Sequence, residues 1–464
     1  MKKFSDTIKW FSPLRFVADS LELSSSPGRA MLYNQEWITS AKDIECILDT
    51  TERIVGYFAN PEASKALEEI TYLLRDLHPI WASIGLLDDP NSSASDVDLF
   101  ELKNISLIER KVSRILTQNE IKIVDIDSLE EVLHILDIEG EELPGFYLSD
   151  KYSAELARLR KAQEAAPNEE EREKLALLVA REEDKVRHAL TEQLRPHGIS
   201  LTHALNALAE TDLFIAKAHW AIANEAIRPQ VQESGTSSLE NLINPEVSSF
   251  LSLKGVDFQP VSIDFGSYPT IITGANMAGK SVLLHSIALA QMLLQYGFFI
   301  LASKAVLTLV KEVMVSMDDA SDQSKGLSSF GGEMLRLSDM ALEAKKGEPL
   351  LLLIDEAART TNPREGRAIV EAMVALFAKY NTCAIITTHY SNIRGEAKRL
   401  RVKGFIEERL QKPLEIAKLN SYIDYSLVEE AEGSTPHEAL RIAEILGVDE
   451  ELLFNCRHYL EKEI

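Results

Sequence analysis

The stretch TIITGANMAGKSVLLHSIALAQ, Thr270 to Gln291, decides how the rest of the chain is read. A β-branched apolar run meets one glycine, then a second glycine followed by lysine and serine, and then a long helical pattern. Gly274 to Ser281 fits G-x-x-x-x-G-K-[ST] between a strand and a helix, the context this phosphate-cradling motif requires. The glycines let backbone N–H groups of Gly274, Ala275, Asn276, Met277, Ala278 and Gly279 curl around phosphate oxygens, with Val282 just inside the helix. The helix N-terminus adds the positive end of its dipole. In such a cradle Lys280 reaches the β- and γ-phosphates of ATP, and the Ser281 hydroxyl ligates Mg²⁺.

Working outward, PLLLLIDE reads as a buried strand ending in two carboxylates, Asp355 and Glu356. Alone, such a pair is an ordinary strand terminus. Downstream of a phosphate cradle, Asp355 becomes a candidate for the Mg²⁺ shell and Glu356 for polarising the attacking water. KGLSSFGGEM, Lys325 to Met334, is a small-residue turn leading into a helix and contains Ser328 and Ser329. CAIITTHY places His389 at a strand end. Turn and histidine are each unremarkable singly. Their order, cradle then serine-glycine turn, Asp-Glu strand and His strand, is that of ATP-binding-cassette ATPases, in which one subunit's turn closes on the other's nucleotide.

The chain divides near residue 240. Residues 1–240 carry apolar residues at spacings of three and four, the mark of helix. SDKYSAELARLRKAQEAA and NEEEREKLALLVAREEDKVRHALTEQL predict a charged antiparallel helical hairpin over about 149–195. Asn168 caps its second helix, and Glu171 completes a capping box. RPQVQESGTSSLENLINPE reads as a polar boundary. Beyond it, over 241–464, short apolar strands alternate with helices, the pattern of a parallel α/β sheet. The predicted fold class is thus an α-helical domain followed by an α/β P-loop ATPase domain of the ABC type, with a helical segment over 434–464 at its end.

Composition narrows the setting. The chain has 464 residues, a net charge of −24 and three cysteines, Cys46, Cys383 and Cys456, too far apart in sequence for a redox or metal motif. That usage suits a reducing, cytoplasmic location. The longest greasy run, 287–302, is interrupted by Gln291, Gln295 and Gly297, so no membrane span is expected. The acidic balance offers no overall attraction to nucleic acid.

TGANMAGKS, SSFGGEM, LLLIDEAARTTN and TTHY are similar to the MutS family's TGPNMGGKS, STFMVEM, VLMDEIGRGTS and ATHY. FQPVSI resembles the segment whose aromatic, here Phe258, packs near the adenine. TPHEALRIAEILGV resembles the segment through which family members dimerise. SPGRAML, SAKDIECILD and ALNALAETDLFIAKA resemble the start and return of the levers. By this resemblance the α-helical domain is a lever domain and 434–464 a dimerisation segment. The resemblance implies ATP and Mg²⁺ as cofactors, Lys280, Glu356 and His389 as catalytic groups, Ser281 and Asp355 as metal ligands, and a homodimer in which Ser328 or Ser329 faces the partner's nucleotide. The family's mismatch-reading and connector domains have no counterpart in this sequence, Ala275 stands for a proline, and ARTTN replaces GRGTS.

The motifs look most like a small MutS-related branch, the ATPase component of the reactivase for adenosylcobalamin-dependent lysine 5,6-aminomutase. That resemblance implies a cobalamin-dependent aminomutase and a second reactivase subunit as protein partners. A DNA-binding ATPase of the mismatch repair or recombination type, without mismatch reading, is the alternative.

Overall fold

The computed structural model describes residues 2–274, 278–317, 329–359, 361–406, 422–430, 440, 443–444 and 447–462. Ala275, Asn276, Met277 and Ser328 lie outside these residues, as does most of 436–446. The first half of the chain is helical: α1 (Phe4–Trp10), α2 (Ser12–Ser20), α3 (Ser26–Asn34), α4 (Ala41–Phe58), α5 (Pro61–Leu74), α6 (Trp81–Gly85), α7 (Asp96–Gln118), α8 (Glu130–Leu136), α9 (Ala154–Glu164), α10 (Glu169–Leu194) and α11 (Gly198–Ala223). Side-chain caps set several of the starts. Asn60 accepts from the Glu62 N–H ahead of Pro61, and Ser95 and Asp98 form a reciprocal capping box on α7. Both satisfy N–H groups that a helix start leaves without partners.

The helical hairpin is present as α9 and α10. Asn168 caps α10 by accepting from the Glu171 N–H at 2.9 Å. Leu156 and Leu159 of α9 are buried in one cluster with Val179 and Val186 of α10, and Arg160 pairs with Glu183 at 2.8 Å. The root of α10 is anchored where the Thr191 hydroxyl oxygen accepts the Ala94 N–H at 2.9 Å.

The second half is mixed: β1 (Gln230–Gln232), β2 (Ser237–Leu242), α12 (Pro245–Ser252), β3 (Val261–Phe265), β4 (Pro269–Thr273), α13 (Lys280–Gln295), β5 (Lys304–Thr308), β6 (Glu312–Ser316), α14 (Ser329–Ala344), β7 (Leu350–Ile354), α15 (Pro363–Lys379), β8 (Cys383–Thr388), β9 (Lys398–Phe405), β10 (Ile423–Glu429) and α16 (Glu450–Lys462). A four-stranded sheet has the order β1-β5-β2-β3, and a six-stranded sheet the order β10-β9-β4-β8-β7-β6. In the larger sheet β9, β4, β8, β7 and β6 run parallel, and β10 returns antiparallel beside β9. β4 and β7 are buried at every position, as expected of strands covered on both faces.

The boundary segment differs from its sequence reading. Instead of a polar linker it forms β1 and β2, and β2 lies between β5 and β3. Ser237 and Leu239 alternate inward, and after a register shift before Leu242 that residue is buried too, which outweighs the turn-forming composition.

Helix α13 is buried along most of its length and joins the two halves. Its core contains Phe4, Leu14, Ile44 and Leu48 from the first helices, Leu213 and Trp220 from α11, and Leu284, Ile287 and Leu294 from α13 itself. At its C-terminal end the Tyr296 carbonyl accepts from Lys217 Nζ at 2.7 Å and from Gln35 Nε2 at 2.8 Å. Lys217 also lies over the Phe298 ring, 4.3 Å from its centroid. Among the described residues no helix is long and apolar enough to cross a membrane.

Burial pushes the Lys217 amine down from 10.5 to about 7, against the opposing charge of Glu210. The folded value lies below the unfolded one, so from about pH 7 to 10 the unfolded chain binds more protons and stability rises with pH. Replacing Lys217 with Met removes this dependence. Across that window the parent is expected to gain on the order of 1 kcal/mol per pH unit relative to Lys217→Met. Paired denaturation midpoints at several pH values check this.

Candidate functional site

The candidate residues collect beyond the C-terminal ends of β4, β7 and β8, where open parallel sheets bind ligands. β8 lies between β4 and β7, so a side chain at its end can reach the groups that follow either neighbour.

From β4 the chain passes Gly274, at φ 151°, to Gly279, at φ 75°, which begins α13. Gly279 requires glycine for space as well as for conformation, since a Cβ there would stand 2.8 Å from the Tyr425 ring. Lys280 follows, with its side chain only 3% exposed. Its Nζ donates to the Gly274 carbonyl at 2.8 Å and lies 3.6 Å from Glu356 Oε1. A buried ammonium needs such partners, because desolvation without them costs several kcal/mol.

The next residue, Ser281, is solvent-exposed and donates its hydroxyl to Asp355 Oδ2 at 2.5 Å. The other Asp355 oxygen accepts from the Thr387 hydroxyl of β8 at 2.5 Å, and Thr387 Oγ1 in turn accepts the Glu356 N–H at 2.8 Å. Thr387 is fully buried, so it fixes both carboxylate residues from the strand between cradle and carboxylates.

Glu356 begins a tight turn in which it and Ala358 adopt left-handed backbone conformations, at φ 44° and 58°. Each such non-glycine residue costs about 1–3 kcal/mol and persists where its surroundings hold it. Arg359 Nη1 donates to Glu356 Oε2 at 2.6 Å. Burial works against ionisation of Glu356, but the Arg359 hydrogen bond and the Lys280, Arg359 and His389 charges outweigh it, so its carboxyl sits below the ordinary value. Glu356 is therefore a carboxylate at neutral pH, able to accept a proton or orient water.

His389 follows β8 with its ring 4.2 Å from that of Tyr390. Its residue surface is open to solvent, yet burial has the largest influence on the imidazole. Together with the Lys280 and Arg359 charges it lowers the His389 pKa, against the pull of Glu356.

Lys280, Ser281, Asp355, Glu356 and His389 thus come together. Ala278 is buried at the mouth of the cradle, and Val282 is half-buried one turn into α13. Phe258 is half-buried beside Gln259, which donates to Asp424 at 2.8 Å and accepts the Tyr425 N–H at 3.2 Å. The Phe258 segment is thereby tied to the strand that covers Gly279. Ser329 opens α14.

The sequence reading missed Thr387, Arg359 and Tyr425. Thr387 and Arg359 lie inside TTHY and ARTTN, but only the strand order makes a threonine on β8 a partner of a carboxylate after β7. Tyr425 is far from Gly279 in sequence, and nothing local announces the contact.

With this geometry in place, the class is an α/β domain carrying a charged site at the ends of parallel strands. Residues 270–461 match the family model of MutS domain V. The chain is homologous to MutS and MutS2 proteins. It is 27% identical over 303 residues to "Endonuclease MutS2" of Caldanaerobacter subterraneus, covering 64% of this chain and 36% of the relative. It is 27% identical over 470 residues to "DNA mismatch repair protein MutS" of Thermus thermophilus, covering 86% and 56%. The protein of that name from Cereibacter sphaeroides is 32% identical over 206 residues, 43% of this chain and 23% of the relative. The chain therefore spans between about a quarter and just over half of these relatives.

The similar family motif GRGTS has glycine where this chain has Ala358. Left-handed backbone favours glycine by about 1–2 kcal/mol, more than the 0.5–1 kcal/mol glycine loses through unfolded-chain entropy. Ala358→Gly is therefore expected to leave the thermal midpoint at or above that of the parent, and Ala358→Val to lower it clearly. Differential scanning calorimetry of both variants checks this.

Proposed function

We propose that the chain binds and hydrolyses ATP with Mg²⁺ and uses the cycle to drive its helical half against a partner. The observation that carries this reading is the conjunction of a buried Lys280 beside Glu356 with a direct Ser281–Asp355 hydrogen bond. Lys280 holds the β/γ-phosphates, the backbone from Gly274 to Gly279 cradles them, and Phe258 borders the adenine. Glu356 orients the attacking water, and His389 stands beside the γ-phosphate.

The residues present fit Mg²⁺. The Ser281 hydroxyl and an Asp355 carboxylate oxygen adjoin as hard oxygen ligands and would hold it. When bound, the ion would neutralise phosphate charge.

In this reading residues 1–240 are the lever, with the hairpin at 149–195, and residues 241–464 are the ATPase. Two copies close on ATP, with Ser328 or Ser329 of one facing the nucleotide held by Lys280 of the other. The segment 436–446 holds the dimer without nucleotide, through the apolar stripe its sequence carries.

For the cargo we favour a protein, a cobalamin-dependent aminomutase carrying inactive cofactor, with a second reactivase subunit. This rests on the motif resemblance and on a net charge of −24, which repels a phosphate backbone. The names of the relatives, an endonuclease and a DNA mismatch repair protein, favour the second reading, DNA. At the hairpin tip Lys174 pairs with Glu170 at 2.7 Å and Arg172 lies 3.9 Å from Glu169, exposed contacts worth little energetically.

Two experiments test these readings. Lys280→Ala is expected to lose ATP binding, while Glu356→Gln binds ATP but turns it over at least about 100-fold more slowly. Equal turnover in Glu356→Gln and the parent removes Glu356 from the chemistry. For the cargo, duplex affinity at physiological salt is expected to be undetectable with or without ATP. Glu169, Glu170 and Glu171 changed together to lysine should weaken capture of the aminomutase and leave basal hydrolysis unchanged. Tight, steeply salt-dependent binding to branched or mismatched DNA selects the second reading.

A further inference from the structure

Ala358 is fully buried and left-handed, so neither its N–H nor its carbonyl can turn to water. Both bonds come from outside the turn. The N–H donates to Glu333 Oε1, in the first turns of α14, at 2.6 Å. The carbonyl accepts from the Tyr390 hydroxyl, beyond the end of β8, at 2.9 Å. Gly366 of α15 makes room for that hydroxyl, since a Cβ there would stand 2.1 Å from it. Two residues back, the Glu356 N–H is held by Thr387.

We propose that Glu333 and Tyr390 are positioning residues: by holding the peptide groups on either side of Ala358, they fix the turn that presents the Glu356 carboxylate to water. This rests on the ATPase reading above. Glu333 and Tyr390 act through Ala358 on the direction of the Glu356 side chain. The chain reaches Glu333 from β6 and Tyr390 from β8, on either side of β7, so the turn after β7 is braced from both flanks. A shift of α14 relative to β7 would be felt at Glu356. β4 and α13, which carry Gly274 and Lys280, take no part in these two hydrogen bonds.

The test compares Glu333→Ala, Glu333→Gln and Tyr390→Phe for ATP affinity, kcat, KM and exchange of the Ala358 amide hydrogen without nucleotide. Glu333→Ala is expected to lower kcat about 10- to 100-fold, the scale of a misplaced catalytic group, with ATP affinity and KM within about twofold of the parent. Glu333→Gln keeps an oxygen acceptor and should recover most of kcat. Tyr390→Phe should lower kcat in the same direction. Ala358 exchange should accelerate in Glu333→Ala and be restored in Glu333→Gln. Parental kcat in Glu333→Ala, a parallel fall in ATP affinity, or a Gln variant as impaired as Ala overturns the proposal. If Glu333→Ala does not fold, parental kcat in Tyr390→Phe overturns it. A parent that binds ATP without hydrolysing it defeats the ATPase reading instead. In that case the exchange decides the brace, and unchanged Ala358 exchange in Glu333→Ala overturns it.

Discussion

A lysine ammonium almost completely removed from water at the end of a buried strand constrains everything around it. Lys280 has to be compensated, and partners for it come from different parts of the chain: the Gly274 carbonyl closes the loop behind it, and the Glu356 carboxylate approaches from the end of β7. The second contact exists only if β8 separates β4 from β7 by one strand width and if the turn after β7 bends back. Thr387 and the left-handed turn at Glu356 and Ala358 meet those conditions.

The far end of the same helix meets a different requirement. A helix terminus leaves carbonyls without partners, and at the C-terminal end of α13 Lys217 of α11 and Gln35, just after α3, donate to the Tyr296 carbonyl. Gln295 reaches the Ile38 and Val310 carbonyls from the last turn. One helix therefore begins at the buried Lys280 after Gly279 and ends in hydrogen bonds to the helical half. Its 16 residues make a rod of roughly 24 Å.

Much of this was legible in the chain itself. The apolar run before Gly274 reads as a strand because its residues are β-branched and buried on both faces, and the G-K-S turn marks where it ends. The carboxylate pair after LLLLI and the hairpin with its cap at Asn168 are legible for similarly local reasons. What escaped depends on order in the sheet or on distant approach. Thr387 matters because β8 lies between β4 and β7. Tyr425 matters because an antiparallel strand near the end of the chain folds over Gly279. The residues 230–242 read as a linker because Gln, Ser, Gly and Thr dominate them, whereas their few inward positions, broken by a register shift before Leu242, find partners in β5 and β3 that no local pattern reveals.

The strands in that connecting segment bear on how the molecule comes apart. A flexible tether would let each half melt on its own schedule. Here the connector is stitched into a sheet, and Phe4, Leu48 and Trp220 share a hydrophobic core with α13. Releasing the first helices would strip α13 of its cover, and removing α13 would leave those helices with exposed apolar faces. The part near the chain start, α11 and the cradle helix thus form one cooperative unit. α7 to α10 pack in a second hydrophobic cluster that takes in α5 and another face of α11. A cut placed near residue 240 would part α11 and the first helices from α13 across the core they share.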